Sequence, residues 1–400
     1  MTHRLNYSCR ILAYAAVGLF EVLTLAGCPD FWIDPPDGKF FRPGVDAYEM
    51  DAQPTRDGGV ILTGSTDDLL ANGIYVVRTD DKANSLWQKQ FPGLGSTIGQ
   101  AVRETSDGSF IIVGTTGAPS TGNEWGPSAL YLLRIDRDGT KVWDNTLFGL
   151  GQAWAVSMDA APDGSFLVIG ETRAGGPESP ISALLVRFQA DGTIVSQSVF
   201  DPPGQYVTAV VCTPDGGYVI GASQADYTAG LARYDARGQE VWRKTYSPIP
   251  GIESESLCVA PDGGFVVAGN QLFGTEGPTV FLLKVDSNGN QVWTRTWSMM
   301  FGELHDVQPV DGGFAVTGTV WYGKYFMPSI YVAKFDTDGN RAWDTALGGQ
   351  FSNGYSVGKL SNGKIMVAGN ASSRNVTING SQYRAGMYLA IVDANGIPVK

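Results

Sequence analysis

Residues 262–293 read DGGFVVAGNQLFGTEGPTVFLLKVDSNGNQVW, and this stretch decides the fold. It opens on the turn pair Asp262-Gly263 and continues into the apolar run 265–269. After a variable segment it reaches a second apolar run at 281–285, and then a second turn that leads to Trp293. Short apolar runs bounded by Asp-Gly or Asn-Gly pairs predict β-hairpins. The stretch therefore predicts a small unit of antiparallel strands.

The first turn of this unit occurs seven times, at intervals of about 50 residues. A repeat of that length means one supersecondary unit per copy, with the loops absorbing the variation in spacing. We interpret each pair as a two-residue hairpin turn, which requires positive φ. The seven pairs are Asp57-Gly58, Asp107-Gly108, Asp163-Gly164, Asp215-Gly216, Asp262-Gly263, Asp311-Gly312 and Asn362-Gly363.

Each copy contains four predicted strands, which we call a, b, c and d in chain order. Strand a precedes the first turn and strand b follows it. Strand b is apolar on consecutive positions, as at 110–113 and 166–169, rather than on alternate ones. Consecutive apolar residues indicate that both faces of the strand are covered.

The second turn, between strands c and d, has the form Asp-x-x-Gly-x-x-x-Trp in four copies, for example at 286–293. Three copies depart from it: the first has Ala83 in place of the glycine, the third has Ser196 in place of the tryptophan, and the seventh ends on Lys400. We expect the tryptophans of this slot to pack between neighbouring units. They are Trp87, Trp143, Trp242, Trp293 and Trp343.

Seven units of four antiparallel strands, each with two covered faces, predict an all-β fold, a seven-bladed β-propeller. A closed ring has no exposed end units, whereas an open stack would need polar caps. The seventh copy has a truncated strand d, residues 397–400, and residues 39–41 are a candidate strand to complete it. The expected blades are about 45–95, 96–149, 150–202, 203–249, 250–300, 301–349 and 350–400.

Through its Asp-x-x-Gly-x-x-x-Trp pattern, the repeat resembles those of bacterial quinoprotein-like (PQQ-like) β-propellers, a family that includes outer-membrane assembly lipoproteins. Enzymes of that kind bind pyrroloquinoline quinone with calcium ligands, a catalytic aspartate and a stacking tryptophan. None of these can be placed on positions of this sequence. We therefore expect no cofactor, no metal and no catalytic residue from the resemblance.

The N-terminal residues 1–27 combine basic residues with a mostly apolar run and predict a signal peptide. Leu25-Ala26-Gly27-Cys28 resembles the lipobox of bacterial lipoproteins, which implies lipidation at Cys28 and a protein anchored to the cell envelope or cell surface. Another cleaved signal, giving a secreted protein, or an uncleaved membrane anchor remain alternatives. Residues 28–44 are rich in proline and are interpreted as a tether before the propeller at 45–400.

The composition limits the classes of function. A formal net charge of −12 makes nucleic acid an unsuitable partner, because phosphate would be repelled. The chain has only two histidines, His3 and His305, so no catalytic triad or multi-histidine metal site can be assembled. We interpret His305 as a residue of a turn or of the central channel, and support for an enzyme is thin.

Aromatic residues in the variable b–c and d–a connections are the candidate binding site. Most lie in the b–c connection of the sixth copy, residues 319–329; Trp125 belongs to the corresponding connection of the second copy, and Trp154 lies near another. The alternative is that these residues only cover their own blades. The candidate binding residues are Trp321, Tyr322, Lys324, Tyr325, Phe326, Trp125 and Trp154.

Two hypotheses for function follow. The preferred one is a lipid-anchored cell-envelope propeller, expected to be a monomer, that acts as a scaffold or interaction module for an envelope or extracellular protein or glycan. The alternative is an envelope enzyme, a hydrolase, lyase or quinoprotein, that uses carboxylates around the central channel.

Overall fold

The computed structural model describes 37–43, 46–67, 73–93, 95–117, 128–173, 175, 179–202, 204, 206–223, 228–247, 252–271, 279–299, 302–322, 327–349, 351–373 and 384–399. Their regular structure consists of strands, which form seven four-stranded antiparallel sheets. The strands are β1 (Lys39–Phe41); blade 1, β2 (Asp46–Pro54), β3 (Val60–Asp67), β4 (Gly73–Thr79), β5 (Ser85–Pro92); blade 2, β6 (Ser96–Glu104), β7 (Phe110–Gly117), β8 (Ser128–Ile135), β9 (Lys141–Leu147); blade 3, β10 (Gln152–Ala160), β11 (Phe166–Arg173), β12 (Ser182–Phe188), β13 (Ile194–Phe200); blade 4, β14 (Tyr206–Cys212), β15 (Tyr218–Ser223), β16 (Ala229–Tyr234), β17 (Glu240–Tyr246); blade 5, β18 (Ile252–Val259), β19 (Phe265–Gln271), β20 (Thr279–Val285), β21 (Gln291–Ser298); blade 6, β22 (Glu303–Val310), β23 (Gly313–Tyr322), β24 (Met327–Asp336), β25 (Arg341–Leu347); blade 7, β26 (Ser352–Lys359), β27 (Ile365–Ser373), β28 (Arg384–Val392).

The seven sheets form a closed ring, which confirms the predicted seven-bladed β-propeller. The first strand of each blade contacts the first strand of the next, from β2 round to β26 and back to β2. These strands a are therefore innermost, and strands d are outermost. Strands b and c are buried on both faces, as their consecutive apolar residues predict; all seven residues of β4 are buried, for example. The core lies between the blades, because side chains of neighbouring sheets pack face to face.

The a–b turns differ from the predicted two-residue form in six of the seven blades. In blade 1 the amide of Thr55 donates to Gly59 O, and that of Gly58 donates to Thr55 O, both at 2.9 Å. Among the turn residues only the glycine has positive φ, +94° for Gly58. This is the longer hairpin in which a type I turn is followed by a left-handed residue. Blade 6 alone has the two-residue form, since Val310 pairs directly with Gly313.

Blade 7 is completed from the other end of the chain, which confirms the hypothesis for residues 39–41. Strand β1 pairs antiparallel with β28 and so becomes the outermost strand of the sheet. Phe41 is buried there, and the Asp37 carboxylate accepts a hydrogen bond of 2.6 Å from the Tyr388 hydroxyl. The end of the chain contributes an isolated bridge between Pro398 and Val392.

The repeated tryptophan joins each blade to the c–d turn of the next. Trp242 of blade 4 donates its indole N–H to Ser287 O of blade 5 at 3.1 Å, and Trp343 of blade 6 donates to Ala394 O of blade 7 at 2.8 Å. The same contact occurs from Trp87 to Arg137 O, from Trp143 to Ala190 O and from Trp293 to Thr337 O. The prediction that this slot packs between units is confirmed.

The glycine of the c–d turn is needed where it lies under a tryptophan. At Gly396, φ is +79°, and an added Cβ would lie 2.6 Å from the Trp343 ring. Blade 1 has Ala83 at this position, with a φ of 61°. The preceding blade there is blade 7, whose outer strand carries no tryptophan, so a side chain at residue 83 meets no indole. The departure of Ala83 from the repeat is thus matched by the departure at the end of blade 7.

The turn aspartates stabilise the turns themselves. In the c–d turn of blade 5, Asp286 Oδ1 accepts the amides of Asn288 and Asn290 at 2.9 and 2.7 Å. In the a–b turn of blade 2, Asp107 forms an ion pair of 2.6 Å with Arg134 at the end of strand c. Arg134 also donates to Ala190 O of blade 3 at 2.9 Å, so this basic residue adds to the joint between blades.

We predict that Gly396→Ala costs about 1–3 kcal/mol more stability than Gly164→Ala. Both glycines have positive φ, but an added Cβ at Gly164 meets nothing within 4 Å, whereas at Gly396 it overlaps the Trp343 ring. Urea unfolding of the two variants measures the difference. Equal losses of stability would show that the indole does not constrain the turn.

Candidate functional site

The propeller has two unlike faces. The a–b and c–d turns lie at one end of the strands and form a turn face of short hairpins. The b–c and d–a connections lie at the other end and form what we call the loop face. The connections of the loop face vary most in length and composition between blades, so recognition is expected there.

The hairpins of blades 6 and 7 extend furthest on the loop face. Beyond the residue that pairs with strand a just before its bulge, Gly318 or Gly369, strand b continues for four residues in these two blades and for one to three in the others. Trp321 pairs with Pro328, and Tyr322 pairs with Met327. These two aromatic residues were expected on a loop, but they lie on β23, because the β-favouring run of Thr, Val, Trp and Tyr after Gly318 continues the strand.

The other expected site residues have different outcomes. Lys324, Tyr325, Phe326 and Trp125 lie outside the described residues, as does Cys28. Trp154 is on the inner strand β10, two residues after its start at Gln152. The structure therefore describes Trp321 on the projecting hairpin and places Trp154 in a different blade.

Trp154 takes part in the joint between blades 3 and 4. Its indole N–H donates to Glu171 Oε2 at 3.1 Å, and the Val207 amide of blade 4 donates to Glu171 Oε1 at 3.0 Å. Glu171 is 1% exposed, and burial raises the pKa of its carboxyl to about 7 because the charged form loses its hydration. In blade 5 the neutral Asn270 has the corresponding role and accepts the Leu304 amide at 2.6 Å.

A β-bulge, which was not predicted from the sequence, interrupts every inner strand at the same level. The bulge places one extra residue on strand a, outside the register with strand b, and of these residues the ones with described side chains are not buried. Because no strand lies inside the inner ring, these residues border the central channel. They are Met50, Gln100, Val156, Thr208, Glu255, His305 and Tyr355.

A regular spacing could have identified these channel residues. In six blades the bulged residue precedes the turn residue by seven positions, as Met50 precedes Asp57. In blade 6, His305 precedes Asp311 by six because the turn is shorter. His305 is therefore a channel residue on a strand, which agrees with one of the two predicted positions. Its ring centroid lies 5.1 Å from that of Tyr355, and its Nε2 lies 3.5 Å from Glu303 Oε2.

Carboxylates of the inner strands hold neighbouring blades together. Asp51 Oδ2 accepts the Val102 amide of blade 2 at 2.9 Å and pairs with Arg103 at 2.7 Å. Arg103 also lies 3.4 Å from Asp159 of blade 3. Asp51, Arg103 and Asp159 thus form an ion-pair network across three blades.

Asp306 has the same role further round the ring. Its Oδ2 accepts the Val357 amide of blade 7 at 3.0 Å, while Oδ1 accepts the Ser256 hydroxyl of blade 5 at 2.9 Å and the Gln308 amide at 3.1 Å. Burial raises the pKa of Asp306 to about 6, and the charge of Asp51 adds to the rise. The three donors oppose it without cancelling it.

Among the side chains that the structure describes, no three His, Cys, Asp or Glu residues form a group that could hold a metal ion. In the same part of the chain no helix is long and apolar enough to cross a membrane.

Similar solved structures share the fold. Sqt1 from Chaetomium thermophilum is 13% identical with a TM-score of 0.52, and the match covers 90% of this chain and 98% of that one. The WD40 domain of Pan2 from Neurospora crassa is 10% identical with a TM-score of 0.54, covering 92% and 98%. A puromycin hydrolase is 16% identical with a TM-score of 0.55, covering 92% of this chain and 56% of that one. At these identities the likeness concerns the propeller fold alone.

No protein-family model matches the chain, and no curated protein matches its sequence.

We predict that Asp306→Asn stabilises the protein at pH 8 by about 1–3 kcal/mol. The wild-type carboxyl has a pKa of about 6 when folded against an ordinary value of 3.8, so above pH 6 folding must bury a charge that the unfolded chain hydrates. An amide keeps the contacts, because the Ser256 hydroxyl and the Gln308 amide can reverse their roles as donors.

The stability gained by Asp306→Asn should shrink as the pH falls through 6. It should vanish below about pH 4, where the wild-type carboxyl is protonated in both the folded and the unfolded state. Urea unfolding of both proteins at pH 8, 6 and 4 measures it. A variant that is less stable than the wild type at pH 8 would contradict the assignment.

Proposed function

We propose that this chain is a lipid-anchored β-propeller of the bacterial cell envelope that binds an envelope or extracellular protein or glycan on its loop face. The observation that carries the proposal is the projecting hairpin of blade 6. It places Trp321 and Tyr322 on a paired strand beyond the level of the shorter hairpins. Aromatic side chains on a rigid support lose little entropy on binding, which suits them to contacts with proteins and sugars.

Lys324, Tyr325 and Phe326 follow Tyr322 in the sequence and are included in the proposed surface. Trp125 and Trp154 belong to blades 2 and 3 and are secondary candidates. The hairpin of blade 7 extends equally far on the loop face and lies beside that of blade 6. The proposed surface is therefore centred on one side of the ring.

The lipobox-like sequence at residues 25–28 supports the anchor. Asp37 lies nine positions after Cys28, and this length of chain spans at most about 30 Å when fully extended. Asp37 accepts the Gly348 amide at 3.3 Å and is thus fixed beside the end of β25. An anchor at Cys28 would hold the propeller close to the membrane by the joint of blades 6 and 7.

The contacts of the inner-strand carboxylates favour a binding role over the alternative of an envelope enzyme. Asp51 and Asp306 each accept a backbone amide of the next blade, and Asp159 accepts the Cys212 amide of blade 4 at 2.8 Å. These carboxylates serve the joints of the ring. The resemblance to quinoprotein-like repeats is therefore taken as one of architecture, without the cofactor.

We predict that Trp321→Ala combined with Tyr322→Ala reduces capture of a partner from envelope extract by at least about tenfold. The matched control is Leu86→Ala with Val241→Ala, which removes exposed apolar side chains from outer strands β5 and β17. Quantitative mass spectrometry of the captured proteins and glycans measures the loss, and circular dichroism monitors the fold. Undiminished capture by the folded variant would place the binding surface elsewhere.

Lipidation is tested separately. Cells that express the full chain and are fed a palmitate analogue should label the wild type, and Cys28→Ser should remove the label, because only the thiol of residue 28 is the proposed acceptor. Cys212→Ser is the control, since this thiol lies in the body of the propeller on β14. A Cys28→Ser protein that stays labelled would contradict the anchor while leaving the binding surface untouched.

A further inference from the structure

Strand β13 is an outer strand without the usual protection of a sheet edge. Its seven residues read IVSQSVF, and the five central ones are exposed. Val195 is 53% exposed, and Val199 is 50% exposed. An edge strand offers unpaired backbone amides and carbonyls to any other strand, so proteins normally place charges on such edges.

The other six blades follow that rule. Their outermost strands each carry at least one charged residue, whereas β13 carries none. The charged residues are Lys89 on β5, Lys141 and Asp144 on β9, Glu240, Arg243 and Lys244 on β17, Arg295 on β21, Arg341 and Asp344 on β25, and Lys39 on β1.

Blade 3 also lacks the outer tryptophan. Ser196 occupies that slot, and an added Cβ on Gly238, in the c–d turn of blade 4, would meet only the Tyr218 hydroxyl at 3.6 Å. At the other described joints of this kind an indole lies over the glycine. The outer edge of β13 therefore lacks both a charge and the tryptophan of the repeat.

The sequence of β13 is nearly the same in both directions. About Gln197, Ser196 mirrors Ser198, and Val195 mirrors Val199, while the ends are the apolar Ile194 and Phe200. Two antiparallel copies of a strand are related by a two-fold axis, and such an axis requires a self-complementary surface. The mirrored pattern supplies that complementarity.

We propose that β13 is a dimerisation strand, through which a second copy of this chain pairs antiparallel about a two-fold axis at Gln197. In this register Val195 of each copy lies opposite Val199 of the other, and Ser196 lies opposite Ser198. Asp201, the nearest charge after the strand, lies opposite the uncharged Thr193. The pairing joins two four-stranded sheets into one of eight strands without placing like charges opposite each other.

The dimer is expected to be weak and dependent on concentration. Seven paired residues bury less surface than the roughly 1,200–2,000 Å² of a stable interface, so the dimer belongs to the class of transient complexes. The two Val–Val pairs contribute about 0.2–1 kcal/mol each beyond the backbone hydrogen bonds. This inference replaces the expectation of a monomer and does not depend on the proposed ligand of the loop face.

The test compares Gln197→Lys with Gln90→Lys in the full-length chain, solubilised in mild detergent. Gln90 is an exposed residue of the outer strand β5, so the control adds the same charge to an edge that is not proposed to pair. At Gln197 two lysines would face each other across the axis. Sedimentation velocity over a concentration series should show a dimer for the wild type and for Gln90→Lys, and a dissociation constant at least about tenfold higher for Gln197→Lys.

A second pair of variants identifies the register. Residues directly opposite in an antiparallel pair have Cβ atoms about 5 Å apart, so Gln197→Cys should form a disulfide-linked dimer under mild oxidation, and Gln90→Cys should not. A wild type that remains monomeric at all concentrations would overturn the proposal. Equal dissociation constants for Gln197→Lys and the wild type would also overturn it, because the dimer would then use another surface.

Discussion

The joint between neighbouring blades is the constraint on which the rest of the structure depends. A single blade exposes two apolar faces and cannot be stable alone, so the chain folds only if each sheet packs on the next. At the outer rim an indole N–H meets the c–d turn of the next blade, as Trp242 meets Ser287. Near the axis, side chains such as Asp51 and Asp306 accept backbone amides of the next blade. The apolar core fills the space between these two levels.

The sequence predicts the elements that local chemistry determines, and it fails where packing decides. The turn pairs and the consecutive apolar runs gave the strands and their number, because Gly and two-sided burial leave clear patterns. The bulges at residues such as His305 could not be predicted from single copies, since a bulge depends on the curvature of the inner ring. Trp321 was expected on a loop but lies on a strand. The strand continues beyond the core because Trp321 pairs with Pro328, and such pairing cannot be read from the sequence of one strand. The ion pair between Asp107 and Arg134 joins a turn to a strand 27 residues further along the chain, a contact that local chemistry does not determine.

The parts of the chain that depart from the repeat are the most informative about function. The repeated aspartates, glycines and tryptophans serve the turns and joints of the ring, so their recurrence is explained without a ligand. The aromatic residues at the end of β23 and the absence of charge on β13 are not required by the ring. These two features lie on different blades and suit different partners: a macromolecule on the loop face, and a second copy at the outer edge of blade 3.

A double-mutant cycle between Trp343 and Gly396 tests the central claim about the joints most directly. Because the indole is what excludes a side chain at residue 396, Gly396→Ala in the Trp343→Ala background should cost only the strain of positive φ, about 1–2 kcal/mol. The account predicts a coupling energy of at least about 1 kcal/mol between the two substitutions in urea unfolding. Additive losses would contradict it, because the tryptophan and the turn would then stabilise the ring independently.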